Sequence, residues 1–341
     1  MLVHGRSFLL MLLGYTFRPL DYRRGMNTDA LARRLRFAPP HPIARRVVLT
    51  EADYVAFEAI NRHGPLSTHY LYQFSRHLRK DYTQLQNRLT DFYNGTQAQS
   101  PYLLRPPRQF AGFEARYQHL VYDLTPKAKI ALAERGTLAL HSPRRVDPFL
   151  HQLMGACVAA SIELSAPSKG LRYIPREEIL THPKCGQARG VINPMAMPLP
   201  GFGDRKALVP DDLFGLEYPG AGFRFFAVEI DRNTESIERS SLDQNAFGKK
   251  IAGYLQALRN QAYRGWWGIP NLHILTVTTN ATHARNIIDY IQKQSDPAYA
   301  ARFAFSCEPA FGANWRVPRG VLGLLDGPWI TTGADKDISR P

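Results

Sequence analysis

An almost continuous apolar run near the middle of the chain constrains the fold more than any other feature. It spans residues 223–231 and has the length of a buried β-strand. A helical pattern follows at 242–263, and then comes a strand pattern rich in β-branched residues at 272–278. With a further helix at 282–294, this order predicts a mixed α/β sheet.

Three shorter helical patterns precede this region. Thr50 is the expected N-cap of the first, and the second opens at Leu66. The third runs from Asp81 to Tyr93 and is ended by Asn94-Gly95. A two-stranded ribbon with a basic tip and a closing helix follow up to about residue 140. This pattern is typical of a winged helix-turn-helix, so we expect an α+β protein with that module first and the mixed α/β domain second.

In a winged helix-turn-helix the third helix enters the major groove of DNA and the ribbon contacts the backbone. The third helix offers side chains that can read base edges or phosphates, and the ribbon offers arginines. The expected DNA contacts are therefore Thr83, Gln84, Asn87, Arg88, Arg105, Arg108 and Arg116. The alternative is that these polar residues only keep the helix soluble, and that the module contacts another protein or a second copy of the chain.

The charge balance favours an anionic partner. The chain carries a net charge of +14, and residues 1–46 hold nine arginines against two aspartates. We expect 1–46 to be a basic, disordered leader, with an arm that contacts phosphates as the alternative. An alternative is that translation starts at Met26 instead of Met1. Folded regions are expected at 47–142 and 147–330, with a disordered tail at 331–341.

Cysteine content and hydropathy bear on the compartment. The three cysteines are far apart, which excludes a disulfide framework and favours a reducing compartment. The apolar stretch at 8–14 is too short to span a bilayer, and the basic segment after it opposes export. We therefore expect a cytoplasmic protein without a membrane partner.

Four acidic residues at the start and end of the expected strands form the candidate chemical site. Glu229 and Asp231 are two apart on one strand, so both side chains leave the same face, and Asp211 and Asp212 belong to the preceding strand. Such carboxylates can hold Mg²⁺, which activates water and stabilises a phosphodiester transition state. Lys250, one helix later, would add a positive charge. The alternative is that these acids form only salt bridges, for example with Arg232.

These motifs resemble those of the replication-relaxation family of bacterial plasmids and mobile elements. The matching segments are Val209-Pro210-Asp211-Asp212, Val228-Glu229-Ile230-Asp231-Arg232-Asn233-Thr234 and Lys250-Ile251-Ala252-Gly253-Tyr254, behind a winged-helix pattern. The resemblance covers roughly residues 47–295. It implies a role in plasmid replication or copy-number control through DNA.

The strand order is also similar to the restriction-endonuclease-like core, whose signature is an Asp on one strand and Glu-x-Lys on the next. Carried over by position, Asp211 or Asp212 and Glu229 would be metal ligands, and Asp231 stands where that core has its lysine. Lys250 would then be a relocated lysine. The resemblance implies a nuclease-like shape, and Asp231 departs from the catalytic signature of that core.

Three functions follow from these observations. The first is a non-catalytic DNA-binding regulator of replication or transfer. The second is a Mg²⁺-dependent DNA endonuclease of the PD-(D/E)xK type, with Asp212, Glu229, Asp231 and Lys250 as catalytic residues and Asp211 as a further metal ligand. The third is a protein-interaction adaptor. A homodimer is compatible with each.

Overall fold

The computed structural model describes residues 35–111, 117–137, 148–199, 207–232 and 246–341. Most of the expected leader, Arg116 of the ribbon, and the segment between the two expected domains lie outside the described residues. Leu35 and Ala38, which belong to a unit distinct from the remainder, are joined in a turn by a 3.0 Å backbone hydrogen bond. Residues 39–341 form one further unit.

The first part of that unit is a set of short helices around a small antiparallel sheet. We call residues 39–137 the N-terminal module. Its elements are α1 (Glu51–His63), β1 (Leu66–Ser67), α2 (Thr68–Ser75), α3 (Tyr82–Asn94), β2 (Leu103–Leu104), β3 (Val121–Leu124) and α4 (Pro126–Glu134). The strand order is β1-β3-β2.

The boundaries of α1 and α3 lie where the sequence indicates, whereas Leu66, the expected start of the second helix, belongs to β1, and α2 begins at Thr68. The backbone N–H of Thr50 donates to the Asp53 carboxylate at 2.9 Å, which satisfies a group at the start of α1. Asp81 caps α3 by accepting from the backbone N–H of Gln84 at 2.7 Å. Gly95 ends α3 at φ 67°, a left-handed conformation that glycine adopts without cost. Both expected boundaries of α3 are confirmed to within one residue.

A six-stranded sheet organises the rest of the chain. Its strands, in spatial order, are β11 (Ile330–Thr331), β10 (Phe303–Cys307), β9 (His273–Thr278), β8 (Gly222–Asp231), β7 (Asp212–Tyr218) and β4 (Arg172–Ile174). β8, β9 and β10 are parallel, and the outer strands pair antiparallel. The expected mixed α/β sheet and the α+β class are confirmed. β5 (Met197–Pro198) and β6 (Ala207–Leu208) form a separate ribbon.

Helices cover both faces of this sheet. They are α5 (Phe149–Ser165), α6 (Arg176–Thr181), α7 (Ala246–Arg259), α8 (Ala262–Trp267), α9 (Ala281–Gln294) and α10 (Pro297–Ala300). Along β8 the side chains alternate: Val228 and Ile230 belong to the core that contains α5, and Ala227 to the core that contains α7 and α9. The long apolar run of β8 is therefore explained by burial on both faces.

The N-terminal module does not have a core of its own. Phe57 of α1 and Leu71 of α2 lie in the same buried cluster as Leu153 and Met154 of α5. Arg62 of α1 also contacts a carboxylate of α5. The N-terminal module and the sheet therefore share one core, because α5 is apolar on most of its surface and is covered on both sides.

Helix α5 and the turn after it, Phe149–Lys169, form the one described helix that is long and apolar enough to cross a membrane. That criterion uses length and composition only. Leu153, Cys157 and Ile162 of this helix are fully buried among the residues of the first core.

The C-terminal residues differ from the expected disordered tail. Thr331 pairs with Ala304 as part of β11, and Ile338 is 4% exposed. The Tyr218 hydroxyl donates to the backbone carbonyl of Ile338 at 2.6 Å. The tail is polar in composition, but Thr331 and Ile338 have partners on the sheet.

Candidate functional site

Asp211 and Glu229 lie opposite each other where β7 begins and β8 ends. Asp212 pairs with Val228, and the backbone N–H of Asp211 donates to the Val228 carbonyl at 3.0 Å. The Asp211 carboxylate in turn accepts from the backbone N–H of Ile230 at 2.8 Å. The two acids are therefore fixed by the sheet ladder itself.

Helix α7 brings a lysine to both carboxylates. The Lys250 Nζ donates to Oε2 of Glu229 and lies 3.6 Å from Oδ1 of Asp211. Tyr254, one turn later on α7, donates from its hydroxyl to Oε1 of Glu229 at 2.5 Å. On the other side, Nε2 of His151 of α5 is 3.4 Å from Oδ2 of Asp211. We call Asp211, Glu229 and Lys250, with Tyr254 and His151, the acid–lysine centre.

The two carboxyls of this centre have opposite electrostatic environments. Burial acts to raise the pKa of Asp211, but the Lys250 charge, His151 and the Ile230 N–H together lower it to about 2. Burial raises the pKa of Glu229 to about 7, and the Lys250 charge opposes that rise without cancelling it. Burial and the neighbouring Glu229 raise the pKa of Tyr254 well above its usual value. The centre thus holds one firmly ionised acid and one that titrates near neutrality.

The other two acids lie elsewhere. The Asp212 carboxylate accepts from Arg176 at 2.9 Å, because successive residues of a strand point to opposite faces. Asp231 is two residues beyond Glu229 and is hydrogen-bonded at 2.6 Å to Nε2 of His283 on α9. The expected grouping of all four acids with Lys250 is therefore wrong, and only Asp211, Glu229 and Lys250 are brought together.

Magnesium does not fit the acid–lysine centre as it stands. Mg²⁺ requires oxygen ligands in octahedral geometry, and the Lys250 ammonium is bonded to the carboxylate oxygens that would supply them. In the described parts of the chain, no three His, Cys, Asp or Glu side chains form a group able to hold a metal. The arrangement is a closed ion-pair network.

The exposed face of α3 carries most of the expected polar DNA contacts. Thr83, Gln84 and Asn87 are exposed. The Gln84 side chain accepts from the backbone N–H of Lys80 at 3.0 Å, which joins the helix to the turn before it. Arg108 of the ribbon is exposed as well.

Arg88, by contrast, points into the protein. Its guanidinium donates to the fully buried Asp53 at 2.8 and 3.1 Å and lies 4.6 Å above the centre of the Phe92 ring. Arg79 also binds Asp53, at 3.1 Å. Burial opposes ionisation of Asp53, but the Arg88 hydrogen bond and charge, with Thr50, lower the pKa of that carboxyl. Arg88 is therefore a structural residue of the module.

Arg105 also makes its contacts inside the module. Its guanidinium lies 4.1 Å from the centre of the Tyr93 ring, and it donates to the Tyr122 hydroxyl at 3.1 Å and the Thr90 hydroxyl at 3.3 Å. Aromatic faces attract cations in this geometry. Arg105 therefore supports the packing of β2 against α3. This structural role cannot be inferred from the residue type alone.

The sequence did not point to two exposed cations or to two members of the acid–lysine centre, Tyr254 and His151. Arg76 and Lys80 lie in the turn between α2 and α3 and are exposed. Their position between two predicted helices was a usable signal, because that turn lies beside DNA in a helix-turn-helix. His151 gave no signal, since nothing in its local sequence relates α5 to the start of β7.

Comparison of the chain with protein-family models, with curated proteins and with solved structures finds no match in any of the three. The resemblance to the replication-relaxation family stays a prediction from the motifs.

Proposed function

We propose that this chain is a DNA-binding protein whose N-terminal module is a winged helix-turn-helix. The observation that carries the proposal is the exposed polar face of α3 next to the basic turn at Arg76 and Lys80. The element order α1-β1-α2-α3-β2-β3, with the three strands in one antiparallel sheet, supports the same interpretation.

The cations that serve this role differ from those that the sequence suggested. Arg88 and Arg105 stabilise the module, which leaves Arg76, Lys80 and Arg108 as exposed contacts for phosphate. The polar side chains of Thr83, Gln84 and Asn87 would then face base edges. The net charge of +14 favours association with a polyanion in any orientation.

The biological role that we propose comes from the motif resemblance. Control of plasmid or mobile-element replication would place the protein in the cytoplasm, where its DNA partner is. A second copy of the chain would match a symmetric DNA site.

The experiment is duplex binding by the full chain, measured by fluorescence anisotropy, for wild type and for the double variant Arg76→Gln with Lys80→Gln. We expect affinity to fall by about tenfold or more and the slope of log K against log salt to decrease by about 2. The matched control is Arg264→Gln, an exposed arginine on α8, which should bind as wild type does. Equal affinity of the double variant and the wild type would contradict the proposal, and absence of binding at low salt would favour the protein-interaction adaptor.

A second candidate is a Mg²⁺-dependent endonuclease with a restriction-endonuclease-like core. Asp211, Glu229 and Lys250 match the acid, acid and lysine of that core by residue type, but a metal ion could bind only if the Lys250 ammonium left the two carboxylates. Incubation of the full chain with duplex, nicked and single-stranded DNA, with Mg²⁺ or Mn²⁺, tests it. Cleavage that is lost with chelator and in Glu229→Ala, with binding retained, would support it. If none of these substrates is cleaved, the endonuclease is contradicted and DNA binding is the remaining proposal.

A further inference from the structure

A cationic groove lies at the end of the sheet opposite the acid–lysine centre. It consists of two adjoining cavities of about 400 and 320 Å³, both lined by Arg224 near the start of β8 and His273 at the start of β9. Lys336 lines the first cavity and Arg302 the second. Glu229 is five residues along β8 from Arg224, so the two sites are separated by about 17 Å of strand.

Three cations, Arg224, Arg302 and Lys336, line this groove, and Asp335 and Asp337 line its first cavity as well. The hydrogen bonds of the three cations go to neutral acceptors: Arg224 to the Arg340 carbonyl at 3.1 Å, Arg302 to Nε2 of His273 at 2.9 Å, and Lys336 to the Ala301 carbonyl at 2.7 Å. Among the described residues, no ion pair within 4 Å involves any of the three, and the Asp337 side chain is paired with Arg340 instead. Like charges held together in this way are costly unless an anion joins them.

His273, which lines both cavities, has a pKa consistent with the positive charge around it. Burial and the charges of Arg302, Arg224 and Lys336 lower the pKa of His273 to about 3. A neutral ring explains why its Nε2 accepts a hydrogen bond from Arg302. His273 therefore adds no charge to the groove and positions one of its cations.

The second cavity also presents an aromatic surface. Phe223, which lines it, is 47% exposed although it belongs to β8. Asn271 fixes this edge by donating to the Phe223 carbonyl at 2.9 Å and accepting from the Phe225 N–H at 3.0 Å. An exposed ring on a rigid strand, next to unpaired cations, has the two components that bind a nucleotide: stacking for the base and charge for the phosphate.

We propose that the cationic groove binds the phosphate groups of a nucleotide through Arg224, Arg302 and Lys336, with the base on Phe223. The nucleotide is either free or the 5′-phosphorylated end of a strand. This site is independent of the N-terminal module and does not rest on the proposed function.

Isothermal titration of the full chain in the presence of a chelator tests this site. The probes are inorganic pyrophosphate, ADP, and a short single-stranded oligothymidylate with either a 5′-phosphate or a 5′-hydroxyl. We expect pyrophosphate and ADP to bind, and Arg224→Gln with Arg302→Gln to weaken both by about tenfold or more. Phe223→Ala should weaken ADP by about fivefold or more and leave pyrophosphate unchanged. The matched control is Arg285→Gln, an exposed arginine on α9, with wild-type affinity expected.

The two sources of the nucleotide give different results. Tighter binding of ADP than of either oligonucleotide assigns the groove to a free nucleotide, and preference for the 5′-phosphorylated strand over the 5′-hydroxyl strand assigns it to a strand end. If the double variant does not fold, Lys336→Gln replaces it with the same expected direction. The proposal is overturned if neither pyrophosphate nor ADP binds, or if the variants bind as tightly as the wild type.

Discussion

At the residue scale, the buried Asp53 carboxylate binds two arginines and so removes their charges from the surface that could contact DNA. Asp53 is fully buried, accepts a hydrogen bond from the Thr50 N–H at the start of α1, and forms ion pairs with Arg79 and Arg88. A buried carboxylate requires such partners, because desolvation otherwise outweighs the hydrogen bonds it makes. Arg88 was expected to contact DNA, and its actual partner was invisible in the sequence because Asp53 is 35 residues away.

Arg88→Ala should therefore destabilise the fold. The substitution leaves one oxygen of Asp53 without its charged donor and removes the cation from Phe92, which should lower the free energy of unfolding by roughly 1–3 kcal/mol. Urea denaturation measures the change. Gln86→Ala, at an exposed position of the same helix, is the control and should shift it little. Unchanged stability of Arg88→Ala would contradict the structural role assigned to its guanidinium.

Glu229 should make stability depend on pH near neutrality. A carboxyl whose pKa rises to about 7 on folding contributes stability that is fully present below its unfolded pKa, and that contribution is lost as pH rises through about 7. Relative to Glu229→Gln, the wild type should lose unfolding free energy between about pH 5 and pH 8. Asp211 does not titrate in this window, since its pKa is about 2. Parallel pH profiles of the two proteins would contradict the assignment.

At the element scale, the sequence predicted those helix boundaries and strands that depend on neighbouring residues. The N-cap at Thr50, the start of α3 within one residue of Asp81 and the buried strand at 223–231 are encoded by neighbouring residues, and the structure has them. Strand β10 and the pairing of β11 with it were not predicted, because they depend on partners distant in sequence. Side-chain alternation along the strand already separates Asp212 from Asp211, but only the tertiary fold brings His283 to Asp231 and Lys250 to Glu229.

The end of α8 provides a test of local packing. Gly268 ends this helix at φ 72°, and a Cβ added there would meet the Lys184 carbonyl oxygen at 1.8 Å. Gly268→Ala should cost about 1–3 kcal/mol more than Gly220→Ala, which has φ 76° but no atom within 4 Å of its added Cβ. Thermal or urea unfolding compares the two. Equal losses would show that backbone conformation alone determines the cost.

At the scale of the whole molecule, the N-terminal module and the sheet are joined by polar contacts as well as by a shared core. His63 of α1 is 2.6 Å from Glu163 of α5, and Tyr70 of α2 is hydrogen-bonded to Ser161 at 2.8 Å. A continuous core with such bridges favours cooperative unfolding of both parts.

Tryptophan fluorescence can detect that cooperativity. All four tryptophans lie after residue 260, and none lies in the N-terminal module. If the parts unfold together, Arg88→Ala in α3 should lower the midpoint of the fluorescence transition along with that of far-UV circular dichroism. If the midpoint of the fluorescence transition does not change in Arg88→Ala, the sheet unfolds independently of the module.

DNA binding by the N-terminal module is the central claim, and the salt dependence of duplex affinity tests it most directly. With Arg76, Lys80 and Arg108 each neutralising a phosphate, log K should fall linearly with log salt with a slope of about −3 or steeper between about 50 and 300 mM. A flat salt dependence, or no binding at the lowest salt, would contradict the claim.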